Sequence, residues 1–201
     1  MPEAKVHVID DDDAARESLA FLLSTSDVPT QTYASAHEFL AVANEVGGVV
    51  VTDVRMPEMD GLELVRRLTA LGVNLPVIVM TGHGDVPLAV EAMKAGVRDF
   101  IEKPYDNETM LSSIRAALET VGETRARNAE RIELSRRIEA LSPRERQVLE
   151  GLVAGKANKV IAYDLDISPR TVEIYRAHVM TKTQAKSLSE LVRMAMLVGL
   201  T

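Results

Sequence analysis

The chain has no cysteine. Disulfides, thiolate zinc sites and cysteine nucleophiles are therefore excluded, and a reducing compartment fits. No apolar run approaches the ~18 residues of a membrane-spanning helix, so no membrane partner is expected. Residues Met1 to Lys5 lack the charged and apolar regions of a secretory signal, and a cytoplasmic location is the expectation. No internal repeat or low-complexity tract is visible. The histidines, His7 and His83 among them, read as ordinary core or surface residues, and no histidine metal site is expected. Positive charge is also short: 23 Lys and Arg stand against 30 Asp and Glu, a net of −7 over 201 residues. Taken whole, that is the wrong sign for a nucleic-acid binder.

Apolar residues, at 46%, are ample for packed cores. The charge is unevenly spread. Residues 1–121 hold 9 basic and 20 acidic residues, a net of −11. Residues 122–139 hold 5 and 4, and residues 140–201 hold 9 and 6, for nets of +1 and +3. An acidic front and a mildly basic back imply two domains with different partners. The boundaries expected are 1–121, a linker at 122–139, and 140–201. The linker is polar and mixed in charge, and reads first as a solvated, helical segment, with a signalling helix that reports the front domain's state to the back one as the sharper alternative.

The front half is organised around Val49-Val50-Val51-Thr52-Asp53. A continuous β-branched run is the pattern of a strand buried on both faces. Further short runs at about 5–9, 30–33, 75–80 and 98–102 alternate with amphipathic stretches at about 13–24, 35–43, 61–70, 86–95 and 107–120. Strictly alternating strands and helices imply an α/β, doubly wound, five-stranded parallel sheet. In such sheets ligands sit beyond the carboxyl ends of the strands. Asp10 and Asp11, Asp53, Thr81, and Lys103 each follow an apolar strand run, so they are expected at that one end.

Carboxylates, a hydroxyl and an ammonium there point to metal-assisted phosphoryl chemistry. A phosphoryl group is repelled by carboxylates unless a divalent cation intervenes, and Mg²⁺ accepts a few carboxylates with waters. Asp11, Asp53 and the Arg55 carbonyl are the candidate direct ligands, with Asp10 acting through water. Asp53 is the candidate nucleophile, becoming an aspartyl phosphate. Lys103 would neutralise one phosphoryl oxygen and Thr81 would hydrogen-bond another. Asp12 and Asp13 read instead as capping or helix-dipole residues.

Together the Asp10-Asp11 pair, Asp53, the Met56-Pro57-x-x-Asp60-Gly61 loop, Thr81-Gly82 and Lys103-Pro104 resemble the receiver domain of two-component response regulators. The resemblance covers residues 4–121. The stretches Gly82 to Pro87, Glu91 to Gly96 and Asp99 to Pro104 are most similar to the FixJ branch. The resemblance implies a histidine kinase as phosphodonor, a coupled switch at Thr81 and Phe100, a cis Lys103-Pro104 bond, and dimerisation through the fourth helix and fifth strand. It also places Arg55 and His83 where receivers tune phosphoryl lifetime.

The back half is dense in helix punctuation. Ser142-Pro143-Arg144-Glu145 is a capping box with proline at the first helical position. Ser168-Pro169 repeats the device, and Ser187 to Glu190 is another capping box. A short helix, a tight turn and a longer helix have the order of a helix-turn-helix. Leu141 to Glu145, Asn158-Lys159, Ile161-Ala162 and Ser168 to Glu173 resemble a LuxR/GerE-type DNA-binding domain over residues 141–198. By that resemblance Thr171, Glu173, Ile174, Arg176 and Ala177 face the major groove of double-stranded DNA. Lys159, Arg170, Arg176, His178 and Lys182 are the phosphate candidates. Val172 and Val179 are core. Tyr175, Thr183 and Val160 depart from the residue types usual in that family.

The function expected is therefore a phosphorylation-switched transcription regulator, not an enzyme beyond its own phosphorylation and dephosphorylation. A homodimer would form on phosphorylation, RNA polymerase is a further partner, and the FixJ likeness implies nitrogen-fixation or low-oxygen genes. Two alternatives stay open at this level. One is a haloacid-dehalogenase-like phosphatase, with Asp11 and Asp13 as its acidic pair, though the second pair it needs after Lys103 is missing. The other is a protein-binding adaptor without DNA affinity.

Overall fold

The computed structural model describes residues 4–82 and 86–200. His83 lies outside them. The chain divides into two compact units, Met1–Thr124 and Arg125–Thr201.

In the first unit, β1 (Lys5–Ile9), β2 (Thr30–Tyr33), β3 (Gly48–Asp53), β4 (Val77–Thr81) and β5 (Asp99–Glu102) form one sheet in the order β2-β1-β3-β4-β5. Every pairing is parallel. Side chains alternate across it, as the twofold repeat of a strand requires. Val50, Val77 and Val79 enter one core with Phe39, Leu62, Leu64, Val65 and Ala92, contributed by α2 (Ala36–Leu40), α3 (Gly61–Ala70) and α4 (Val86–Ala95). Val49, Val51, Ile78 and Met80 enter the other with Leu19, Leu23, Met110, Ile114 and Ala117, from α1 (Asp13–Ser24) and α5 (Asn107–Glu139). All six residues of β3 are buried, which is why its sequence carries no polar alternation.

Local signals place the helix starts. Asp12 caps α1, its carboxylate accepting from the N–H groups of Ala14 and Ala15 at 2.8 and 3.1 Å. Ser35 and Asp60 cap α2 and α3 in the same way. At the head of α3, Gly61 donates to the Val54 carbonyl at 2.9 Å. A Cβ there would lie 2.3 Å from the Asp53 carbonyl oxygen. Only glycine lets the helix begin this close to the end of β3.

His7 interrupts the apolar run of β1. It is 1% exposed, its Nδ1 shares a hydrogen bond with the Tyr33 hydroxyl at 3.1 Å, and its ring packs 5.4 Å from that of Phe39. Nε2 is buried without a hydrogen-bond partner. Burial holds the pKa below the ordinary value of 6.5, against the opposing pull of the Gly47 carbonyl. The sign of the linkage follows. Below about pH 6.5 the unfolded chain takes up a proton that the folded one refuses, so stability falls as pH drops through that value and is unaffected above it. Unfolding midpoints between pH 7.5 and 5.5 should therefore fall more steeply for the native chain than for His7→Val. Equal slopes would contradict the assignment.

The second unit holds the end of α5, then α6 (Pro143–Val153), α7 (Asn158–Asp164), α8 (Pro169–Thr183) and α9 (Leu188–Leu197). The capping box at Ser142 and Glu145 forms in both directions, and Ser168 and Ser187 cap α8 and α9. Ile138, Val148, Leu149, Ile161, Val172, Val179 and Leu191 make its core. Thr183, polar where an apolar side chain is usual, is buried and donates to the Val179 carbonyl at 2.7 Å.

Three elements differ from the sequence reading, the first being the second helix, expected to reach residue 43 but ending at Leu40. The strand expected at 75–80 starts at Val77 and takes in Thr81. The fifth helix, expected to end near residue 120, continues to Glu139. Most side chains of residues 122–139 are exposed along this helix; Leu134 and Ile138 are buried, Ile138 in the core of the second unit.

Candidate functional site

Parallel strands bring their carboxyl ends to one edge, and the register fixes which residues meet there. Asp53 on β3 lies opposite Met80 on β4, one residue before Thr81, and Thr81 lies opposite Glu102 on β5. Lys103 follows β5, its N–H donating to the Thr81 carbonyl at 2.7 Å, and its peptide bond to Pro104 is cis.

At this edge the Lys103 ammonium donates to the Asp10 carboxylate at 2.8 Å and to the Asp53 carboxylate at 2.6 Å. Asp10 is 2% exposed and Asp53 8%. The second oxygen of each carboxylate is also held. The Asp12 N–H donates to Asp10 at 3.0 Å, and the Arg55 N–H donates to Asp53 at 2.6 Å. Burial pushes the Lys103 pKa down, but hydrogen bonds and charge from Asp10 and Asp53 outweigh it, so the net shift is upward. Two carboxylates share one ammonium, which leaves the site net negative and ready to hold a cation.

The donor set fits a hard divalent ion. Carboxylate oxygens from Asp10 and Asp53 converge within hydrogen-bond distance of a single point, and Mg²⁺ needs only one or two carboxylates beside its waters. Among the described residues no three acidic or histidine side chains are gathered to hold an ion by themselves. Asp11 is exposed on the loop between β1 and α1, and Arg55 is exposed two residues after Asp53. Thr81 is fully buried at the end of β4, and Phe100 is half-buried against the core of α2, α3 and α4.

Asp13 sits in the first turn of α1, solvent-exposed and paired with Arg16. It does not join Asp11 as a strand-end acidic pair, so the phosphatase reading loses its geometry. Two neighbours of the site escaped the sequence reading. The Arg16 guanidinium donates to the Asp10 carbonyl at 2.7 Å. Burial holds the Tyr105 pKa above its ordinary value, with the Lys103 charge pulling it down and the Asp10 charge pulling it up. Only its place six residues after Asp10, at the fourth position of α1, could have marked Arg16.

In the second unit, α7 and α8 present the residues expected to meet DNA. Lys159, Arg170, Glu173, Ile174, Ala177, His178 and Lys182 are exposed, and Thr171 and Arg176 are half-buried. Val172 and Val179 are fully buried. Lys182 and His178 have an internal partner that the sequence did not reveal. The Lys182 ammonium donates to Glu145 at 2.7 Å, and His178 Nδ1 lies 3.6 Å from the same carboxylate. The Glu145 pKa is held below its ordinary value, first by the Lys182 hydrogen bond and then by the Ser142 N–H.

Residues 6–115 match the family described as the response regulator receiver domain, and residues 139–195 match the luxR family of bacterial regulatory proteins. The chain is 59% identical to the transcriptional regulatory protein FixJ of Azorhizobium caulinodans, over 99% of this chain and 95% of that protein. Among solved structures, the response regulator StyR matches with a TM-score of 0.84 at 36% identity, over 96% of this chain and 98% of that one. Full-length FixJ from B. japonicum matches with a TM-score of 0.60 at 48% identity over the whole of both chains.

Proposed function

This chain belongs to the FixJ-type two-component response regulators, a receiver domain joined to a luxR-family DNA-binding domain, and on that footing we propose that Asp53 is the phosphoacceptor of a switch controlling promoter binding. The observation that carries the reading is the Lys103 ammonium held between Asp10 and Asp53 at the carboxyl ends of β1, β3 and β5. A phosphohistidine on a histidine kinase is the donor. An Asp53 carboxylate oxygen attacks phosphorus, a P–O bond forms as the P–N bond breaks, and the released imidazole takes a proton. Mg²⁺, held by Asp10, Asp11, Asp53 and the Arg55 carbonyl, would supply charge neutralisation for the incoming phosphoryl group. Lys103 pairs with one phosphoryl oxygen, and the Thr81 hydroxyl donates to another.

Thr81 and Phe100 relay the event. Thr81 ends β4, and Phe100 lies on β5 three residues before Lys103, packed against the core that includes Ala92 of α4. The outer face of α4 is apolar, with Val86, Val90 and Met93 exposed at 77%, 46% and 56% around a shallow concavity of about 440 Å³. This supports homodimer formation through α4 and β5 on phosphorylation. The dimer then binds double-stranded DNA through α8 and works with RNA polymerase in the cytoplasm. Nitrogen-fixation or low-oxygen genes are the targets that the FixJ likeness supports. No helix among the described residues is long and apolar enough to cross a membrane.

The experiment is selection of genomic duplex fragments with and without acetyl phosphate and Mg²⁺. Binding should tighten about tenfold for each ~1.4 kcal/mol of coupling between the two events. Log affinity should also fall linearly with log salt, as phosphate contacts require. Affinity indifferent to the donor would remove the switch. Affinity indifferent to salt would leave an adaptor that does not touch DNA.

A further inference from the structure

Glu145 sits at the third position of α6, where a capping box needs only a reach back to the preceding turn. Its side chain is nevertheless 5% exposed and holds three groups. The Ser142 N–H and the Lys182 ammonium both donate to Oε2 at 2.7 Å, and His178 Nδ1 faces Oε1 at 3.6 Å. Lys182 and His178 lie on α8, the helix that would enter the major groove. We infer that Glu145 is a positioning residue of the DNA interface, one that reserves Lys182 and His178 and clamps the far end of α8 to the start of α6. The inference rests on the DNA-binding reading above and narrows it, because the phosphate contacts then fall to Lys159, Arg170 and Arg176.

Two physical arguments carry it. The first is burial. Moving Lys182 to a DNA phosphate would leave a buried carboxylate held by the Ser142 N–H alone, and with Lys182 itself 43% exposed that costs on the order of one power of ten in equilibrium constant. A surface phosphate contact returns less. The second is position. Recognition helices read bases with their N-terminal residues, and Lys182 stands thirteen residues along α8 from Pro169, about 20 Å at 1.5 Å per residue, so holding it back takes nothing from base reading. Lys159 and Arg170 are exposed, and neither they nor Arg176 makes an ion pair among the described residues. Their charge is free to meet phosphate.

The test is the salt dependence of binding by the full chain, with acetyl phosphate and Mg²⁺, to a duplex of arbitrary sequence about 30 base pairs long. Lys159→Met and Arg170→Met should each lower the slope of log affinity against log salt by about 0.9, the value for one lost phosphate contact. Lys182→Met should leave the slope unchanged while lowering the unfolding midpoint. Glu145→Gln should steepen the slope by about 0.9, because it releases the Lys182 ammonium. The midpoint losses of Glu145→Gln and Lys182→Met should not add in the double variant. If Glu145→Gln fails to fold, Lys182→Met still decides, since its side chain is 43% exposed. A Lys182→Met slope lowered as much as that of Arg170→Met would overturn the inference. Unchanged slopes in all three cationic variants would instead overturn the DNA-binding reading beneath it.

Discussion

Asp53→Asn is expected to abolish phosphorylation by acetyl phosphate and to remove donor-activated DNA binding, while leaving the fold intact. Asparagine preserves the shape of the side chain at the end of the fully buried β3. Its amide oxygen still accepts from the Arg55 N–H or from Lys103, both 2.6 Å from the native carboxylate. The change takes away the nucleophile and one negative charge. Where a nucleophile works with positioned partners, its removal costs at least ~100-fold in rate. Stability should move by no more than about 1–2 kcal/mol, because Lys103 keeps its bond to Asp10. The readouts are a mass increment on the intact chain and an anisotropy titration with DNA. A phosphoryl group found on another residue, with activation intact, would relocate the acceptor.

Lys103→Met is expected to damage both stability and phosphoryl transfer. It leaves Asp10 and Asp53 facing each other with no ammonium between them, and both are buried. Breaking a buried charge pair by removing one partner costs about 3–5 kcal/mol. Lys103 is 26% exposed, so water can enter in its place, and about 2–3 kcal/mol is the expected loss. Transfer should fall by about 10²–10³, the usual cost of removing one donor from a developing anion. The pH dependence has a definite sign. The folded pKa of Lys103 is raised above 10.5, so its contribution is complete below that value and disappears as pH rises through the folded pKa. The stability gap between native chain and variant, measured by urea unfolding, should therefore be full at pH 7 and narrow in alkali. A gap that persists undiminished above the folded pKa would show that the ammonium's charge is not its source.

Much of the architecture was readable from order alone. The run Val49 to Asp53 could only be a strand covered on both faces, and alternation of such runs with amphipathic stretches leads to a parallel sheet with helices on both sides. Chain reversal through helices then puts every strand's carboxyl end at one edge. That is why Asp10, Asp53 and Lys103, distant in sequence, could be expected together. The helix starts were readable as well, because Asp12, Ser35, Ser142, Ser168 and Ser187 act on N–H groups two or three residues away. Asp12 as a cap rather than a ligand followed from the same short-range rule.

Other features were not readable, for one shared reason. The ion pair of Lys182 with Glu145 spans 37 residues, and Arg16 reaches the Asp10 carbonyl across a loop. Neither contact leaves a periodic mark. The extent of α5 was hidden too. Residues 122–139 are too polar to show an apolar stripe, and Ile138 acquires its burial in a core built with residues of α6 to α9. Local hydrogen bonding and the twofold or 3.6-fold spacing of apolar residues are properties of neighbours in the chain, so the amino-acid order by itself determined the sheet, its helices and the edge where the carboxylates gather. Which cation each carboxylate holds was decided only by tertiary structure, because an ion pair depends on distance in space, and in a buried setting its partner is set by whatever packing brings within a few ångströms.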